Sequence, residues 1–308
     1  PLYGNEEARY YNVIRMNTKG LNGDGTFKYL TSTTDAKNVT FYQDSMVVRD
    51  AIVDVEAGDT DYGDYPDAKS ANAKTVLMAA NERYIINSKG YELIDLYEGQ
   101  ATLEGAAMIS KNGMFGIGDV RTEGTDSRSD HFRFSKRGFV ARDADFFIEA
   151  LDADTSALTS SNAKLTFDFD SNTAKLEPEI EGDAVISMPL MYYKTSIPQG
   201  TWDLDKHTFT MIKPKDVDIE NSYFYSTLED QDSLAFNGES AVYDAVASVM
   251  TVKGVPGIYV ADAYITPGDS TVYVDASALI EPLDDAIIQM NASERYHYMN
   301  KGFVDIYS

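Results

Sequence analysis

Apolar and polar residues alternate along most of this chain. The stretches "FRFSKRGFV", "AVISMPLMYYK", "TFTMI", "SYFYS", "VMTV", "GIYVADAYI", "STVYVDA" and "FVDIYS" place β-branched or aromatic residues at about every second position. A period of two is the mark of a strand with one buried face. Caps ahead of long stretches of period 3.6 are scarce, so the pattern predicts an all-β protein with under about a tenth of its residues in helix. The best remaining helix candidate is "LDDAIIQMNASERYHYM", Leu283 to Met299.

The pattern is also written twice. "VVRDAIVDVEAGD" (Val47 to Asp59) returns 93 residues later as "VARDADFFIEALD" (Val140 to Asp152), with seven of thirteen positions identical. Chance would give on the order of one match. At the same offset Gly20, Gly23 and Gly25 map onto Gly113, Gly116 and Gly118, and "VTF" at Val39 maps onto "FRF" at Phe132. Three residues are then dropped, and "SANAK" (Ser70 to Lys74) meets "SSNAK" (Ser160 to Lys164) at an offset of 90. Two consecutive units of about 90 residues follow. The repeat settles one ambiguity. "SANAKTVLMAANERY" alone is rich in helix formers, but its counterpart "SSNAKLTFDFDSNTAKL" alternates, so both are read as strands.

A smaller motif joins an aromatic residue, an Asp, a turn and two apolar residues one apart. Trp202-Asp203 leads to Phe209 and Met211, Tyr243-Asp244 to Met250 and Val252, and Phe167-Asp168 to Ala174 and Leu176. Leu77 with Tyr84 and Ile86 forms a copy that lacks the Asp. An Asp at a strand end can accept backbone N–H groups two residues on, so each copy predicts a tight return between two strands. In the last third, strand-like runs start at Val260, Leu283 and Phe303, about 20 residues apart. The fold class expected is therefore all-β, with an elongated repeat architecture: a β-solenoid, or an open trough of jelly-roll type. The expected divisions are residues 1–95 and 96–185 as the two repeat units, and 186–308 as a C-terminal β-region.

Composition narrows the function. The 308 residues contain no cysteine, which excludes disulfides, thiolate metal sites and cysteine nucleophiles and fits an oxidising compartment. A net charge of −24 repels phosphate backbones and anionic lipid, so nucleic acid is not an expected partner. No apolar run approaches the ~20 residues of a membrane-spanning helix. The chain opens on Pro1 with no signal peptide and closes on a strand-like run without a cap. The expectation is a processed chain or one portion of something longer, continuing or docking edge-on to another chain.

No constellation of residues carries recognisable chemistry. The duplicated glycines lack the Lys-Ser/Thr and the following helix of a phosphate loop, and read as close-packing or bulge positions. His131, His207 and His297 have no metal-ligand spacing and no nucleophile elbow beside them. Asp59, Asp61, Asp64 and Asp67 start like a calcium loop but lack its closing Glu. The second copy keeps only Asp152 and Asp154, so a solvated acidic loop is expected, with calcium dispensable and bound only near millimolar levels. Trp202 and the tyrosines could stack on sugars but suit a sheet core. The expectation is no catalytic residue, no cofactor and no metal.

The Asp-containing hairpins and "GESAVYDAVASVMTVKGV" resemble the repeating unit of OstA-like proteins, the periplasmic lipopolysaccharide-transport bridge family. Nearly the whole chain resembles very large uncharacterised envelope proteins of Bacteroidota, in lines such as "KGLNGDGTFKYLTS", "EDQDSLAFNGESAVYD", "YVADAYITP" and "RYHYMNKGFVDIYS". The resemblance implies an exported protein of the periplasm, outer membrane or cell surface of a Gram-negative bacterium. Asp44-Ser45-Met46 and Asp232-Ser233-Leu234 also match the three-residue O-glycosylation pattern of exported proteins of that phylum. This chain departs from a lipid bridge in its acidity and in lacking an evident acyl-chain groove. The function expected is a structural or binding segment of a large envelope protein or assembly, without catalysis. Its partners would be other envelope proteins or further segments of the same chain. The alternatives are an OstA-like conduit for a lipidic molecule and a carbohydrate-active or glycan-binding β-domain.

Overall fold

Four strands share one irregularity that fixes the architecture. In Ser32–Phe41, Ser45–Val55, Thr125–Ser135 and Gly138–Glu149 the alternation of buried and exposed positions is broken by two consecutive exposed residues. These are Lys37-Asn38, Arg49-Asp50, Asp130-His131 and Arg142-Asp143, each flanked by buried residues. An inserted residue bends a strand and shifts its parity by one, so the same face stays inward beyond the bend. Asn38 and Asp143 take left-handed φ values of 56° and 46° to make the insertion. The doubled line of sequence thus encodes a corner, and its Arg-Asp pair is the corner itself.

The structure is a computed structural model that describes residues 1–18, 20–150, 155–179, 185–231, 234–290 and 297–306. Strand makes up 66% of the chain, all sheet pairing is antiparallel, and no α-helix occurs among the described residues. Antiparallel pairing selects the trough or jelly-roll type over parallel solenoid coils. There are two compact units, Pro1–Ala144 with Asp168–Asp170, and Asp145–Phe167 with Ser171–Ser308.

In the first unit the sheet is a meander. Gly20–Tyr29 pairs with Ser32–Phe41, which pairs with Ser45–Val55, which pairs with Ala68–Met78. Arg83–Asn87 and Ile94–Leu96 together form the next strand, split by a short excursion. Both pieces pair with Ala101–Ser110, and Gly113–Thr122 and Thr125–Ser135 follow. Bent at its corners, this sheet closes on its own inner face. Tyr29 Oη donates to the Glu82 carbonyl at 2.5 Å, and the Tyr84 and Thr34 hydroxyls bond at 2.6 Å, although these groups come from opposite strand ends. Tyr97 repeats the latch, donating to the Gly138 carbonyl at 2.7 Å with its ring 4.4 Å from that of Phe169. Phe27, Tyr29, Tyr84, Phe132, Phe134 and Phe139 fill the space between. Each such burial contributes roughly 1.5–3 kcal/mol.

The second unit builds its corners from interrupted strands. Tyr193–Thr195 pairs with Val185–Met188 and Tyr223–Ser226. Its continuation Gly200–Asp203 pairs with Thr173–Pro178 and Thr208–Ile212. Ser240–Asp244, Val249–Lys253 and Thr271–Val274 extend one half-sheet, and Ala235–Asn237, Ile258–Val260, Ala263–Thr266 and Leu283–Met290 extend the other. The breaks carry Pro198, Gly238, Pro256 and Pro267, where a ladder bond or a side chain would obstruct the bend. A Cβ on Gly238 would lie 2.4 Å from Val252 Cγ1 and 3.2 Å from the Phe224 ring, one in each half-sheet. Gln231 Nε2 donates to the Ala278 carbonyl at 2.8 Å and ties the outer ends together.

The Asp-containing motif forms the tight returns. Asp244 Oδ1 accepts the N–H groups of Val246 and Ala247, both at 2.9 Å, and Asp203 Oδ1 accepts that of Lys206 at 3.1 Å. In each copy the residue four after the Asp is left-handed, with φ of 51° at Asn172 and His207 and 52° at Ser248. Ala68–Met78 and Ser156–Asp168 are both strands. The helix candidate at Leu283 to Met299 is strand over its described residues. Leu283–Met290 and His297–Val304 are paired strands, with Asp285 at φ 51° in a bulge. The bulge moves buried residues to Leu283 and Ala286, which imitates helical spacing.

Candidate functional site

The acidic loop is a small hairpin, Gly58–Thr60 paired with Gly63–Tyr65. Its carboxylates diverge. Asp59 accepts from Lys136 Nζ at 2.7 Å, while Asp67 accepts the Glu98 N–H at 3.0 Å. The Tyr62 carbonyl between them takes Arg133 Nη2 at 3.0 Å. Asp152 and Asp154 lie outside the described residues. Among the described residues no three of Asp, Glu and His converge to hold a metal.

The histidines are separate elements of the sheet. His131 is a corner residue, its Nδ1 3.9 Å from Asp143 Oδ2. His207 closes a return, its ring 6.2 Å from that of Trp202, and His297 starts the final strand. Trp202 is buried and faces the core. Gly118 has φ of 129°, and a Cβ there would sit 2.1 Å from the Glu104 carbonyl oxygen; Gly25, its counterpart, would meet the Tyr11 carbonyl oxygen at 2.3 Å. Both glycines mark a close approach of two backbones at a bulge. Ser45 donates its hydroxyl to Asp44 at 3.2 Å, and Asp232-Ser233 lies outside the described residues.

Shifted ionisations follow the same division between surface and core. A hydrogen bond from Lys89 holds Asp50 below the usual carboxylate range, and one from Lys206 does so for Asp203. Burial pushes Tyr84, Tyr29 and Tyr243 up to about 12 and raises Tyr97 and Tyr193. The shifted groups are thus Lys–carboxylate pairs on the surface and tyrosines held neutral by burial.

Unsatisfied apolar surface is found at the two sheet edges. Strand Ile14–Asn17 is exposed throughout, with Met16 82% and Ile14 43% accessible. Among the described residues it pairs only with Gly20–Tyr29, as does Ala8–Tyr11, whose Ala8 also accepts the Leu2 N–H at 2.7 Å. Strand His297–Val304 pairs only with Leu283–Met290 and exposes Tyr298, Met299 and Phe303. Among the described residues no strand covers the outer side of either edge. Such edges present unpaired N–H and C=O groups together with side chains suited to burial. Sequence reading did not single out these side chains. Carried back to Ala8, the offset of 93 aligns Ile14 and Met16 with buried Ala107 and Ile109, a signal present in the sequence.

No protein-family model, no curated protein and no solved structure matches the chain.

Proposed function

We propose that this chain is a non-catalytic β-scaffold segment of a bacterial cell-envelope assembly that joins its neighbours through the two open sheet edges. The observation that supports this most is a contrast. Aromatic side chains fill the space between the folded half-sheets, and apolar side chains stand uncovered on the edge strands. A lipid conduit needs the reverse: an interior left open for an acyl chain. The surface acids suit solvation of an extended assembly. Export to the periplasm or cell surface accords with the absence of cysteine and with the resemblance to large envelope proteins.

Sedimentation velocity over a concentration series tests the proposal. Self-association is expected, and Met16→Asp should weaken it while leaving circular dichroism unchanged, because Met16 is exposed. Organic extraction of the purified protein should recover no stoichiometric acyl chain. Retained lipid at one mole per mole would favour the conduit, and association indifferent to Met16→Asp would overturn the edge reading.

A further inference from the structure

The first edge is a copy of a strand that is covered elsewhere in the same unit. Ala8–Tyr11 and Ile14–Asn17 align with Ala101–Ser110 at the offset of 93. The backbone repeats with the sequence position. Asn12, at φ 134°, separates the two short strands at the position where Gly105, at φ 150°, sits within the continuous one. Tyr3 and Tyr97 precede them, both at φ 54° and 94 residues apart, and donate to the carbonyls of Ser45 and Gly138, which are 93 apart. Gly25 crowds the Tyr11 carbonyl as Gly118 crowds that of Glu104. One thing differs. Arg83–Asn87 and Ile94–Leu96 lie against the outer side of Ala101–Ser110, with Tyr84 opposite Ile109 and Ile86 opposite Ala107. Ala107 and Ile109 are accordingly 0% accessible, whereas Ile14 and Met16 stand free.

The covering strand has its own copy at the other edge. "ERYIINSKGY" (Glu82 to Tyr91) returns as "ERYHYMNKGF" (Glu294 to Phe303). After two dropped residues "IDLY" (Ile94 to Tyr97) returns as "VDIY" (Val304 to Tyr307), which makes seven identities in fourteen positions. Residues 294–296 and 307 lie outside the described set. The described part, His297–Val304, is a strand paired on one side only. Where the internal copy has its excursion after Asn87, this strand has a left-handed Lys301 at φ 56°. Among the described residues, strand Ile14–Asn17 therefore lacks a cover, and the other edge is a strand of the covering type.

Resting on the edge-scaffold reading, we propose that the occupant of the first edge is the last strand of a second copy of this chain, giving a head-to-tail assembly. The internal pairing sets the register. Ile86 opposite Ala107 becomes Tyr298 opposite Ile14, and Asn87 opposite Ala106 becomes Met299 opposite Val13. Tyr298 and Met299 thereby cover Ile14 and Val13, all four of which are exposed in the single chain. Joining different edges leaves one of each kind free, so assembly continues by addition rather than closing as a two-fold dimer.

The absence of cysteine makes the register directly testable. Chains carrying Ile14→Cys and Tyr298→Cys, one size-tagged, are mixed and mildly oxidised. A mixed disulfide dimer is expected at about ten times the yield of Ile14→Cys with Asn300→Cys, whose Cα atoms the register places too far apart to bridge. Val13→Cys with Met299→Cys is a second in-register pair should the first perturb folding. Equal yields in and out of register would overturn the proposal, as would dominant Ile14→Cys self-pairing, which marks a two-fold edge contact. Association that is lost with Met16→Asp but gives no register-specific cross-link leaves the edge scaffold standing and removes the head-to-tail partner. A chain that does not associate removes both.

Discussion

Tyr84 links the closed sheet to a measurable pH dependence. It is fully buried, packs against Phe27 and Tyr29, and shares a 2.6 Å hydrogen bond with Thr34. Burial disfavours its tyrosinate and pushes its pKa from 10.0 to about 12. The unfolded chain therefore releases this proton first. Stability from the neutral side chain is complete below about pH 10 and falls as pH rises toward 12, where the unfolded state binds fewer protons than the folded one. Two units correspond to roughly 3 kcal/mol at full effect and roughly 2 kcal/mol near pH 11.5. Tyr84→Phe removes this linkage. Near pH 7 it loses a hydrogen bond and leaves the Thr34 hydroxyl unpartnered, a cost of about 1 kcal/mol. The substitution should therefore destabilise near pH 7 and stabilise by roughly 1 kcal/mol near pH 11.5. Urea unfolding of both proteins at the two pH values measures the difference, in which the ionisation of other groups cancels. A difference that keeps its sign and size between the two would refute the claim that the folded sheet encloses a neutral Tyr84.

Four further outcomes follow from the geometry and the charge. Gly118→Ala forces a Cβ onto the Glu104 carbonyl at positive φ and should cost about 2–4 kcal/mol in thermal unfolding. Gly124→Ala, left-handed but with open space around it, should cost only about 1 kcal/mol. Asp244→Ala removes the acceptor for two N–H groups and should destabilise by about 1 kcal/mol, with Asn restoring most of it. Because each copy carries −24, raising salt from about 20 to about 500 mM should tighten self-association about tenfold, as seen by light scattering. Weakening with salt would point to an interface held by ion pairs.

The strands and the tight returns were legible in the sequence because alternation and the Asp-containing motif are local signals. The corners were not. Arg49-Asp50 and Arg142-Asp143 stood out as repeated text, yet two adjacent polar residues look like a lapse in the period. Their meaning emerges only when the burial of Val48 and Ala51 shows the face restored beyond them. The same device at Asp285 made a strand resemble a helix. Edges are hidden for a different reason. Ile14 and Met16 alternate just as Ala107 and Ile109 do, and alternation cannot say whether a neighbouring strand is present. That information lies in long-range pairing, which the internal copies supply once the strands are placed. The acidic loop was legible as solvated text, but its ties to Lys136 and to the turn at Glu98 needed the fold.

Amide hydrogen exchange as a function of protein concentration bears most directly on the edge scaffold. As the chain associates, the amides of Ile14–Asn17 and of His297–Val304 should slow together. Exposed return residues away from the edges, such as Val246 and Ala247, should keep their rates. Exchange at both edges that stays fast while the protein sediments as a larger species would contradict the account, and so would protection confined to a site away from the edges.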